Sequence, residues 1–142
     1  MANYFIKLDW GWRDDSKVMD YEDRHGKAAL VDVIVLFCLM SEFGGCIELA
    51  DRGARLRCER ALGKRGKALD RFLEGVAECG IVKAEWLAAG RVASDRSLRD
   101  GKRRQARREA AAAASEAAAA KRAAAAASGT VSDTVTDTGT AA

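Results

Sequence analysis

Residues 52–72 read RGARLRCERALGKRGKALDRF. Eight side chains in this stretch are basic, and two, Glu59 and Asp70, are acidic. Asp51 is placed to cap a helix that runs to Gly63. Beyond the glycines of GKRG, Leu69, Phe72, Leu73 and Val76 recur at i, i+3, i+4 and i+7. That spacing is one face of a second helix, which Gly80 ends. Two helices around a short glycine-containing turn fit a helix-turn-helix.

The flanking sequence extends this reading. Upstream, DSKVMDYEDRHG (residues 15–26) offers Asp15 or Ser16 as a cap and Gly26 as a stop. KAALVDVIVLFCLMSEFGG (27–45) is rich in β-branched residues, but its length favours a buried helix over a strand. CIEL (46–49) reads as a short strand. Downstream, IVKAEW and RVAS read as two strands around the turn LAAG. The expected fold is mainly α with a small β-hairpin wing, a winged helix-turn-helix followed by an Ala/Arg-rich helical tail.

Composition sets three zones. Residues 1–95 are mixed and are expected to form the winged-helix domain. Residues 96–127 are Ala, Arg and Lys with few large apolar groups, a basic helical extension. Residues 128–142, SGTVSDTVTDTGTAA, have nothing to bury and are expected to be a disordered tail.

The net charge of +3 conceals a sharp asymmetry. Residues 1–51 carry five basic and ten acidic groups; residues 52–71 carry eight and two. Such a segment suits a polyanion. In a helix-turn-helix the second helix enters the major groove by its first residues while the first crosses the backbone. Lys64, Arg65, Lys67 and Arg71 sit where the second helix begins, Arg55, Arg57 and Arg60 lie on the first, and Arg91 falls at the wing tip. Arg103, Arg104, Arg107 and Arg108 crowd the start of the tail. These twelve are the candidate nucleic-acid contacts, through phosphates and, for arginine, guanine. The competing reading is the solvated face of ordinary helices. Tyr4, Phe5, Trp10 and Trp12 read as aromatics that lock the N-terminal segment onto the core or a second subunit, or stack on bases.

No catalytic motif stands out. GKRGKA resembles half a phosphate loop, but its glycines are too close and Ala68 stands where a hydroxyl must hold magnesium. His25 is the only histidine and has no nucleophile placed beside it. The acidic run Asp14, Asp15, Asp20, Glu22 and Asp23 reads as a solvated helix start. Cys38, Cys46, Cys58 and Cys79 lack a C-x-x-C pair, so they read as buried thiols of a reducing compartment rather than zinc ligands. The longest apolar run, residues 28–40, is too short to span a bilayer. The expectation is a cytoplasmic protein with no cofactor, no metal, no membrane partner and no enzymatic activity.

In order along the chain, YFIKLDW, Asp15–Ser16–Lys17–Val18, Gly26, Glu42, Gly80–Ile81–Val82 and Ser94–Asp95–Arg96 form a series. This series, over about residues 4–108, resembles the N-terminal winged-helix domain of DnaD-like replication proteins from phages and mobile elements. The resemblance implies DNA association in replication initiation or helicase-loader assembly, with replicative helicase or loader proteins as partners. It also implies self-association into a homo-oligomer. Two other readings stand beside it: a DNA-binding transcriptional regulator, and a protein–protein assembly module without direct DNA contact.

Overall fold

The computed structural model describes residues 11–129. Tyr4, Phe5 and Trp10, of the aromatic group above, lie outside them, as do residues 130–142 of the tail. The chain is mostly helical, with one small two-stranded antiparallel sheet. Two compact units divide at Arg104.

In the first unit a 3-10 turn, Trp12–Asp14, leads to α1, Ser16–His25. The Asp15 carboxylate accepts the Lys17 N–H at 2.9 Å and caps α1, which buries Val18 and Tyr21 one turn apart. A second 3-10 turn opens α2, Leu30–Glu42. α2 is the apolar helix of the unit and buries one side: Val33, Leu36 and Met40 are fully buried, while Val31 and Cys38 stay exposed. β1, Cys46–Glu48, follows.

Asp51 then caps α3, Arg52–Leu62, by accepting the Ala54 N–H at 3.1 Å. Gly63 (φ 64°) and Gly66 (φ 54°) take left-handed backbone on either side of Lys64 and Arg65. Only glycine adopts such angles without strain, so GKRG makes the tight turn into α4, Lys67–Glu78. All four stripe residues, Leu69, Phe72, Leu73 and Val76, are buried. Each contributes about 1.5–3 kcal/mol through burial.

The expected hairpin is replaced by a different pairing. Ala84–Ala88 is a short helix, α5, not a strand. β2, Arg91–Ala93, pairs antiparallel with β1 in the register Cys46↔Ala93, Ile47↔Val92 and Glu48↔Arg91. Ile47 and Val92 face the core, while Glu48 and Arg91 face out. Residues 81–83 reach β2 by one backbone bond, Lys83 N–H to Ala93 O at 2.9 Å. Ile81 and Val82 are drawn into the core, and Lys83 begins the turn of α5 instead of a strand.

The first unit also runs past residue 95. α6, Asp95–Gly129, starts with a reciprocal cap. The Ser97 N–H donates to Ser94 Oγ at 3.0 Å, and the Ser94 N–H donates to Ser97 Oγ at 2.8 Å. Ser97 Oγ donates onward to Gly45 O at 2.7 Å. One turn later Gly101 lies directly against the Gly44 carbonyl, with no room for a Cβ. The first part of α6 is therefore packed on the core and belongs to the first unit. Residues 105–129 are a separate, solvent-exposed helical unit, rich in alanine.

Candidate nucleic-acid interface

The structure sorts nine of the twelve candidate cations into two kinds. Arg55 and Arg57 lie on α3, and each meets carboxylates. Arg55 contacts Asp70 at 3.0 Å and Glu59 at 3.5 Å; Arg57 contacts Glu42 at 3.2 Å. Lys64 meets Asp32 of α2 at 3.4 Å, with its ammonium 5.7 Å from the centre of the Phe72 ring. Arg91 is not at a wing tip. It sits on β2 opposite Glu48, bonded at 3.0 Å, and lies over the Trp86 ring at 5.9 Å. Arg104 donates to Ser41 of α2.

The other kind is unpaired. Arg60, Arg65, Lys67 and Arg71 are exposed and form no ion pair among the described residues. Arg60 is on the last turn of α3, Arg65 is in the GKRG turn, and Lys67 and Arg71 share one face of the first turns of α4. The local fold explains the grouping. Burial of Leu69, Phe72 and Leu73 turns positions 67 and 71 outward, and burial of Ala54, Cys58 and Leu62 leaves position 60 in solvent. Glu59 Oε1 accepts the Gly66 N–H at 3.1 Å, so the acid nearest the turn is spent on holding it closed. The result is four exposed cations on and beside one turn. Arg103 is exposed on α6 in the first unit, and Arg107 and Arg108 are exposed on the second unit.

A one-dimensional reading could not find the counter-charges. Asp32, Glu42 and Glu48 come from α2 and β1, far along the chain from their basic partners. It also passed over Arg52, exposed at the first position of α3.

The thiols depart in part from expectation. Cys58 and Cys79 are buried, Cys46 is half-buried, and Cys38 is exposed on the outer side of α2. Burial pushes the Cys58 thiol up from its ordinary 9.0 to about 11, and raises Cys79 and Cys46 as well. Lys83 is raised by its hydrogen bond to Asp95. No group of three or more His, Cys, Asp and Glu among the described residues could hold a metal ion. No described helix is long and apolar enough to cross a membrane. The acidic start of the chain is mostly engaged locally: Asp15 caps α1, Asp20 meets Arg24, and Glu22 meets Arg13.

Comparison of the chain with family models, with curated proteins and with solved structures finds no match.

Proposed function

We propose that the protein is a non-enzymatic, cytoplasmic DNA-associated protein that grips the phosphate backbone through the α3–α4 turn. The observation that carries this reading is the set Arg60, Arg65, Lys67 and Arg71, exposed on and beside one turn and in no ion pair among the described residues. A cation already neutralised by a carboxylate must trade one anion for another on binding DNA and gains little. A free cation releases counterions from the duplex and gains fully. The order α2, β1, α3, turn, α4, α5, β2 supports a helix-turn-helix with the small β1–β2 sheet beside it, the reading nearest a winged helix-turn-helix. Replication initiation for a phage or mobile element, with a helicase or its loader as partner, rests on the sequence resemblance.

A second reading has an observation of its own. Val31, 61% exposed, and Cys38 lie on the outer side of α2, and Leu56, 47% exposed, is on α3. An assembly module would bury these groups against a partner. Fluorescence anisotropy of labelled duplex and single-stranded oligonucleotides tests the first reading. Binding to duplex at low salt is expected, and its absence there would leave assembly as the function.

A further inference from the structure

The outward sides of α3 and α4 differ in charge along their length. On α3, Arg52, Leu56 and Arg60 stand at i, i+4 and i+8 on one side of the helix, and all three are exposed. Neither arginine forms an ion pair among the described residues. On α4, Lys67, Arg71, Glu74 and Glu78 stand at i, i+4, i+7 and i+11, again on one exposed side. That side is basic at its start and acidic from Glu74 onward. Glu78 has Arg24 at 3.9 Å and is still 70% exposed.

The start of α3 also works against its own helix. A cation in the first turn opposes the helix dipole, and the first turn of α3 holds no acidic residue beside Arg52. Gly53 follows, exposed, where alanine would favour the helix. A Cβ there would meet nothing closer than Asp51 Oδ2 at 3.6 Å, an ordinary contact, so packing does not require the glycine. Two residues that disfavour the helix on an exposed surface suit contact with a partner.

We infer that the duplex held at the α3–α4 turn continues along α3 as far as Arg52 and leaves the acidic part of α4 clear. This rests on the DNA reading above. Arg52 and Arg60 are separated by about 12 Å of helix, and the major groove is about 12 Å wide, so the two reach phosphates on its opposite walls. Leu56, between them, faces the groove, where thymine methyls offer apolar contact. The part of α4 that enters is limited to Lys67 and Arg71, because a helix laid lengthwise would set Glu74 and Glu78 against phosphates.

The test is the salt dependence of affinity of the full chain for a duplex oligonucleotide. Wild type is expected to bind at low salt; no binding overturns the DNA reading and this inference with it. Arg52→Ala is expected to flatten the slope of log affinity against log salt by about 0.9, one phosphate contact, without lowering the melting temperature. Lys17→Ala removes an exposed cation of α1 that has no ion pair among the described residues, and should leave the slope unchanged. Leu56→Lys should steepen the slope by about 0.9, and Glu74→Lys should leave it unchanged. If wild type binds but Arg52→Ala binds identically, or Lys17→Ala flattens the slope as much, the inference falls and the DNA reading stands. Steepening by Glu74→Lys also overturns it, since α4 then lies along the duplex.

Discussion

Arg55 and Asp70 bind each other, Nη2 to Oδ1 at 3.0 Å, joining α3 to α4 over the GKRG turn. The same guanidinium reaches Glu59 and the Gly66 carbonyl. Arg55 therefore works on the geometry of the turn, not on a ligand. Both side chains are partly in water, so the pair is worth about 0.2–1 kcal/mol. A double-mutant cycle of Arg55→Ala and Asp70→Ala in urea is expected to give a coupling energy in that range. A coupling indistinguishable from zero would mean that the Arg55–Asp70 pair adds nothing to the turn that Glu59 and the glycines already hold.

The contact of Gly101 with Gly44 makes α6 part of the fold. Gly101→Ala forces a Cβ against the Gly44 carbonyl, backbone that cannot move aside cheaply. The expected loss is about 1–3 kcal/mol, as for other overpacked sites. Truncation after residue 95 removes Ser97 and its bonds to Ser94 and Gly45, and should lower the melting temperature markedly. Truncation after residue 104 should leave it near that of the full chain. Equal melting of all three chains in a thermal scan would show that α6 contributes nothing to the first unit.

These results mark what was legible in the sequence. GKRG and the stripe Leu69, Phe72, Leu73 and Val76 were readable, because glycine and helical periodicity are local signals. The wing was misread. IVKAEW has strand-like composition, but Ile81 and Val82 enter the core and only Lys83 bonds to β2. The end of the first unit was misplaced because Ser97 and Gly101 look like tail residues until Gly44 and Gly45 are set beside them. At the candidate interface the basic residues were visible in one dimension. Their sorting into paired and free was not, since Asp32, Glu42 and Glu48 lie elsewhere in the chain.

Thiol reactivity should follow burial. At about pH 8, a group with a pKa of about 11 is about one part in a thousand thiolate. Iodoacetamide under native conditions is expected to modify Cys38 first and to spare Cys58, as read by peptide mass spectrometry. Rapid modification of Cys58 would contradict its place in the core.

Stability should also fall in alkali with a defined sign. The folded Cys58 pKa lies above the ordinary 9.0, so the fold favours the protonated thiol. That contribution is complete below pH 9.0 and is lost as pH rises towards about 11. Tyr21, also raised by burial, acts in the same direction. Cys58→Ala is expected to flatten the alkaline loss measured by urea unfolding, and an unchanged slope would remove Cys58 as its source.

The most direct measurement of the central claim is the salt dependence of duplex DNA affinity for two variants. One replaces the free cations Arg60, Arg65, Lys67 and Arg71 with Ala; the other replaces the paired cations Arg57, Lys64 and Arg91. If the free set grips phosphates, the first variant flattens the slope of log affinity against log salt by about 3.6, at about 0.9 per contact. The second should change it by less than one contact's worth, and neither should melt much earlier than wild type, since exposed charges contribute little. Equal flattening by both variants, or no change from the first, would contradict the account.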